Sequence, residues 1–287
     1  MSKQVKVIEC PRDAMQGIKT FIPTERKVQY IQSLLRVGYD TIDFGSFVSP
    51  KAIPQMADTA EVLARLDLSK TTSKLLAIIA NTRGAEDASM HKAIDYLGFP
   101  FSISENFQMR NTHKTIAESV ITLQEILNIA DQKNKEVVVY ISMGFGNPYG
   151  DPWSVDVVAD WTERLSNMGV KILSLSDTVG TSGPETIDYL FSNLIPKYPN
   201  IEFGAHLHTT AESWFEKVDA AYKAGCKRFD GAIQGFGGCP MAKDELVGNM
   251  PTEKLLSYFT VKKENQLNAL SFESAYNEAI KIFKNYH

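Results

Sequence analysis

The chain has 287 residues, 44% of them hydrophobic, and a formal net charge of −4. That is long enough to bury a large single core, and the weak acidic balance offers no basic field for nucleic acid or an anionic membrane surface. Its three cysteines, Cys10, Cys226 and Cys239, are too few and too scattered for a disulfide framework or a structural zinc site.

Short apolar runs alternate with amphipathic stretches almost to the end. The predicted strands are Val5–Cys10, Thr41–Phe44, Leu75–Ile79, Phe99–Ile103, Glu136–Ile141, Ile172–Ser176, Glu202–Ala205 and Arg228–Ala232. Their starts lie far enough apart for βα units of roughly 30 residues. Between them, Glu25–Val37 places Val28, Ile31, Leu34 and Leu35 on one face and stops at Gly38. Thr115–Lys133, Val155–Met168 and Glu185–Lys197 follow the same rule. Thr252–Phe259 closes the pattern, and Ser271–Asn285 reads as one more amphipathic helix, packed on the barrel or on a second subunit. No apolar stretch approaches the ~20 residues that span a bilayer. Met1–Gln4 carries neither an apolar leader core nor an Arg-rich transit pattern, so the expectation is a cytoplasmic protein without membrane contact.

Eight such units build either a closed parallel barrel or a doubly wound open sheet. No strand is followed by G-x-G-x-x-G, and in Gly144–Gly150 a proline stands where a helix would start. The expectation is therefore an α/β fold, a (β/α)8 TIM barrel forming a single domain over 1–287. The barrel takes about 4–260 and the C-terminal helical extension 261–287.

The chemistry-bearing residues fall at the ends of these strands, which in such a barrel collect around one mouth. His206-x-His208 points both imidazoles to one side if the segment is extended, so that one metal could take both; a buried, hydrogen-bonded pair is the competing reading. Arg12-Asp13 reads as a surface ion pair or as an anion-binding fork beside a metal carboxylate. Asp43 and Asp177 read as turn formers or as site carboxylates. Cys239 lies in the glycine-rich run Gly235–Pro240, a mobile turn or a closing loop carrying an acid or base. Asn249 reads as a helix cap or an oxygen ligand, and Cys10 and Cys226 as core.

Pro11-Arg12-Asp13-Ala14-Met15-Gln16, Ser46-Phe47-Val48-Ser49-Pro50-Lys51, Ser176-Asp177-Thr178-Val179-Gly180, His206-Leu207-His208 and Gly235-Phe236-Gly237-Gly238-Cys239-Pro240 with Gly248-Asn249 occur in that order. Together they resemble the 3-hydroxy-3-methylglutaryl-CoA lyase family of metal-dependent lyase barrels, from Val5 to about Phe259. The resemblance implies Mg2+ or Mn2+ held by Asp13, His206, His208 and Asn249. It implies that Arg12 stabilises an enolate oxygen, that Asp177 supports the hydroxyl end, and that Cys239 transfers a proton from a mobile loop. The implied reaction is retro-Claisen cleavage of an acyl-CoA substrate, in a protein that is often a homodimer. The chain departs from the family pattern at Asp43, where the family has glutamate. It also departs in His208-Thr209-Thr210-Ala211-Glu212, which lacks an aspartate and a glycine, and in Asn147 of Gly146-Asn147-Pro148-Tyr149. These departures favour a related 3-hydroxyacyl-CoA as much as the parent substrate. Two rival readings are a Claisen-condensing synthase of the same barrel group, whose chains usually extend further past the barrel, and a homologue that binds metal and acyl-CoA without turnover.

Overall fold

The computed structural model describes residues 4–238 and 247–286. In chain order the strands are β1 (Lys6–Glu9), β2 (Thr41–Ser46), β3 (Lys74–Ile78), β4 (Tyr96–Ser102), β5 (Glu136–Ser142), β6 (Ile172–Ser176), β7 (Glu202–His206), β8 (His208–Thr209), β9 (Arg228–Gly231) and β10 (Gly248–Asn249). β1 to β7 and β9 pair in parallel and close into a barrel, while β8 and β10 form a separate antiparallel ladder. All eight expected strands are present, and the C-terminal helix (Ala269–Tyr286) is there as expected.

Alternation divides each strand between two environments. Val5, Val7, Ile42, Phe44, Val137 and Val139 face outward into the core shared with the helices. Leu76, Tyr96, Val138, Tyr140 and Ile172 form a smaller cluster inside the barrel. The lumen is apolar there but polar near β6, β7 and β9, where Ser174, Gly204, Arg228 and Asp230 lie. Gly204 is closely approached there: a Cβ at that position would stand 3.1 Å from both Arg228 Cδ and Ser174 Oγ, so a side chain would have to push those groups aside. At the lower mouth Arg228 Nη1 reaches Glu202 Oε1 at 3.1 Å and Lys6 Nζ reaches Glu202 Oε2 at 2.6 Å.

The helices begin where side chains satisfy the first free N–H groups. Asn81, Ser104 and Ser154 each accept from a backbone N–H of the first turn, and Thr115 with Glu118 makes a reciprocal capping box. Most boundaries fall within two residues of the sequence reading, and two differ by three. β4 starts at Tyr96 rather than Phe99, because Tyr96 and Leu97 pair with Glu136 and Val137 despite the glycine that follows. The helix expected over Glu25–Val37 spans Thr24–Leu34, its last residues forming a turn before Gly38, whose φ is +92°. The terminal helix buries Ala275, Ala279, Ile282 and Phe283. Phe283 packs edge-on against Tyr30 of the first long helix at 6.2 Å, so this face lies on the barrel.

Candidate active site

The upper mouth is assembled from strand ends. Directly after β1, Pro11 starts a short helix, Pro11–Gln16, that holds Arg12 and Asp13 at the rim, both buried. Arg12 Nε lies 3.2 and 3.0 Å from the two Asp43 oxygens, and Nη2 lies 2.6 Å from Asp43 Oδ2. Nη1 donates to Asp13 Oδ1 and to Gln16 Oε1, each at 2.9 Å. The shorter Asp43 side chain therefore meets the guanidinium directly. Of the five guanidinium N–H groups, one on Nη2 has no hydrogen bond within these contacts. Asp43 is pushed up to about 6 by burial, which the Arg12 charge only partly offsets. The carboxyl of Asp13, also buried, is nevertheless held below its usual range by Arg12, His206 and the Asn249 hydrogen bond.

His206 and His208 leave the end of β7 on the same side, as period-two alternation requires, with ring centroids 5.4 Å apart. His206 Nδ1 faces Asp230 Oδ2 at 3.0 Å. With a carboxylate as acceptor, Nδ1 carries the hydrogen, and the Nε2 lone pair is left for the site. Burial lowers the basicity of His206, but Asp230 and Asp13 more than compensate and raise it. His208 is pushed down to about 4, first by burial and then by the neighbouring His206, so its imidazole is neutral near pH 7.

Asn249 comes to the site through the β8–β10 ladder, in which it pairs with His208 while Gly248 pairs with Thr209. Its Nδ2 lies 2.6 Å from Asp13 Oδ2 and 2.8 Å from the Phe236 carbonyl. Gly237 passes over this contact. A Cβ there would stand 2.7 Å from both Asn249 Nδ2 and the Asp13 carbonyl oxygen, and its φ is +92°.

Asp177 is turned away from this cluster. It accepts from the Ser182 backbone N–H at 3.0 Å and from the Ser182 hydroxyl, and it pairs with Lys217 at 2.7 Å. Lys217 also donates to the His208 carbonyl at 2.8 Å, so Asp177 reaches the histidines through that lysine. Cys239 lies outside the described residues. Thus Arg12, Asp13, Asp43, His206, His208 and Asn249 come together, and Asp177 stands behind them. The motif Ser46–Pro50 lines a cavity of about 220 Å³ beside the ends of β2 and β3.

Two residues that the sequence reading passed over belong to this region. Asp230 lay inside a predicted strand, where its inward direction was already readable from the alternation that served for His206. Lys217 sits on a helix and carried no signal, since burial of a lysine comes from the tertiary fold. Cys10, read as core, is buried but faces the lumen near His206 and Asp230.

The ligand-type atoms of Asp13, His206 and His208 lie within 4.8 Å of one another. One carboxylate held ionised, one neutral imidazole, a second imidazole with its tautomer set by Asp230, and an adjacent amide make a donor set that fits a divalent cation of the Mg2+, Mn2+ or Zn2+ kind. Comparison with known proteins gives the family to which this fold belongs. Residues 5–277 match the family model described as HMGL-like. The chain belongs to this family. It is 32% identical over 255 residues to the hydroxymethylglutaryl-CoA lyase YngG of Bacillus subtilis, covering 88% of this chain and 84% of that protein. It is 34% identical to the mitochondrial hydroxymethylglutaryl-CoA lyase of Macaca fascicularis, covering 89% and 78%. The HMG-CoA lyase structure from Brucella melitensis superposes with a TM-score of 0.91 at 29% identity, covering 99% of this chain and all of that one. The Acinetobacter baumannii HMG-CoA lyase, solved with coenzyme A and 3-methylmalate, gives 0.90 at 28% identity over 99% and 93%. The chain is a carbon–carbon lyase of the HMGL family. No helix of the described residues is long and apolar enough to cross a membrane.

Proposed function

We propose that this lyase cleaves 3-hydroxy-3-methylglutaryl-CoA, or a closely related 3-hydroxyacyl-CoA, to acetyl-CoA and a keto acid. The observation that carries this reading is the convergence of Asp13, His206 and His208 ligand atoms beside the free edge of Arg12. Asp13, His206, His208 and Asn249 would hold Mg2+ or Mn2+. Bound there, the ion would supply Lewis acidity toward the hydroxyl and carboxyl oxygens of the substrate.

The remaining work falls to the chain. Arg12 is fixed on one side by Asp43 and on another by Asp13 and Gln16, so its remaining N–H can meet the enolate oxygen of the thioester without reorganising. The neighbouring Asp43 holds that guanidinium in register and balances its charge. Retro-Claisen cleavage takes the proton from the 3-hydroxyl, breaks the C2–C3 bond and leaves the electron pair on C2, which must then be protonated. We assign that proton to Cys239, from the loop that begins at Gly235, and the support for the hydroxyl end to Asp177 acting through Lys217. That the Acinetobacter baumannii relative holds coenzyme A supports an acyl-CoA substrate for this chain.

The test is release of acetyl-CoA from 3-hydroxy-3-methylglutaryl-CoA with Mg2+ or Mn2+ present and after chelation. Metal-dependent release supports the reading. Release that persists in metal-stripped protein or in His206→Ala overturns the metal assignment. No release from this substrate, with Mn2+ still bound, moves the assignment to another 3-hydroxyacyl-CoA.

A further inference from the structure

Beneath the upper site the lumen holds a second group of ligand-type atoms, which shares His206 with the first and adds a thiol that the proposed reaction leaves unused. Cys10 at the end of β1, His206 at the end of β7 and Asp230 on β9 place a sulfur, an imidazole nitrogen and a carboxylate oxygen within 4.8 Å of one another. Cys10 and Asp230 are 2% and 3% exposed. Independent observations mark an unfilled demand here. Asp230 Oδ1 and Tyr140 Oη are buried without a hydrogen-bond partner among the described residues. Tyr140 packs edge-on to His206 at 5.7 Å, which places its ring at the same spot. The Cys10 thiol makes a long contact, 3.9 Å, to the Ile8 carbonyl.

The donor chemistry differs from that of the upper site. Thiolate with imidazole and carboxylate selects a borderline-soft ion of the Zn2+ type, whereas Mg2+ and Mn2+ prefer oxygen-rich sets. Geometry agrees. Two ligand atoms each about 2.0–2.1 Å from a tetrahedral ion stand roughly 3.3 Å apart, and His206 Nδ1 and Asp230 Oδ2 are 3.0 Å apart. An ion could replace the hydrogen shared by this pair with little movement, and the thiol would close by rotating about its Cα–Cβ bond.

We propose that Cys10, His206 Nδ1 and Asp230 form an inner site for a thiophilic divalent cation such as Zn2+, and that filling it disables the upper site. The link is the single imidazole. An ion on Nδ1 moves the ring hydrogen to Nε2, and the displaced thiol proton leaves to solvent. Nε2 then carries a hydrogen toward Asp13 and has no lone pair for an upper cation. A neutral imidazole serves one ion at a time. This consequence rests on the upper-site reading above, whereas the inner binding does not.

The experiment titrates the purified full chain with Co2+ and follows the near-ultraviolet sulfur-to-cobalt charge-transfer band. The band should rise to one equivalent, vanish in Cys10→Ser and Cys10→Ala, and persist in Cys239→Ala and Cys226→Ala. Cys10→Ser keeps the shape of the side chain, so a loss there is not a folding defect. Zn2+ should weaken Mn2+ binding to the wild type about tenfold more than it does in Cys10→Ser, where only direct competition for the upper donors remains. No band, or a band that survives Cys10→Ser and disappears in Cys239→Ala, overturns the proposal. Should the protein cleave no acyl-CoA at all, the reaction assignment fails while the cobalt band still decides the inner site.

Discussion

Replacing Lys217 by methionine tests how the upper mouth is held together. Lys217 Nζ donates to Asp177 Oδ2 at 2.7 Å, to the His208 carbonyl at 2.8 Å and to the Gly180 carbonyl at 3.0 Å. The side chains of the pair are 4% and 1% exposed, so solvent does not screen them. Methionine preserves the apolar stem but removes the charge and all three donors. Breaking a buried pair by deleting one partner costs about 3–5 kcal/mol, because the other charge stays buried and uncompensated. Summing the bonds gives a similar figure: about 1.5–3 kcal/mol for the charged one and roughly 1 kcal/mol for each stranded carbonyl. Lys217→Met should therefore lose about 4 kcal/mol in urea unfolding, followed by circular dichroism and fluorescence together to confirm a single transition. Asp177→Asn should lose a comparable amount by stranding the lysine. The double variant Asp177→Asn/Lys217→Met, which buries neither charge, should be more stable than the sum of the singles by about 2 kcal/mol. Simple additivity, or a Lys217→Met cost under about 1 kcal/mol, would refute the clamp.

Two further predictions follow from other contacts. Glu9 is buried, accepts from the Ile233 N–H at 3.0 Å and the Thr252 hydroxyl at 2.6 Å, and is raised by burial from 4.5 to about 8. The folded state therefore holds a proton that the unfolded chain releases above pH 4.5. Its stabilisation is complete below that pH and is lost as pH rises toward 8, by up to roughly 5 kcal/mol at 1.36 kcal/mol per pKa unit. Glu9→Gln should flatten the urea midpoint across that window, and an unchanged slope would show that Glu9 is ionised in the fold. Gly237→Ala places a methyl against Asn249 and Asp13 in a left-handed backbone. Mn2+ affinity should fall at least about tenfold while the unfolding free energy changes by no more than about 1–2 kcal/mol. Equal Mn2+ affinity in the variant would place the loop away from the cation.

The barrel was legible because parallel strands covered on both faces leave continuous apolar runs, and the helices between them keep a 3.6-residue period. His206 and His208 were legible for a simpler reason, since a spacing of two on extended chain needs no tertiary information. Asn249 was not readable from the residues alone as a partner of His208. Their pairing is an antiparallel ladder between segments about 40 residues apart, which only the tertiary fold brings together. Asp177 is the instructive case. The residue type and strand-end position suit a site carboxylate, but Lys217, on the following βα unit, decides where that carboxylate points. Cys10 and Asp230 were hidden by the same habit of reading strand interiors as packing, although alternation already aimed both into the lumen.

The C-terminal helix lies outside the eightfold pattern, yet it bears on the site through one aromatic side chain. Phe283 stacks on Phe236 at 4.1 Å with the rings 18° from parallel, and its other side meets Tyr30. Phe236 gives its carbonyl to Asn249 Nδ2, and Gly237 follows it across Asp13. The path from terminal helix to the proposed cation ligands is thus two contacts long. The glycine-rich segment Gly235–Gly238 loses much conformational entropy on ordering. Stacking Phe236 on a helix already seated against the barrel confines the start of that segment and leaves its glycines to follow the site's contour. The expectation of a helix on the barrel or on a second subunit resolves, for this face, in favour of the barrel. The helix does more there than cover apolar surface, because it fixes the carbonyl against which Asn249 is oriented.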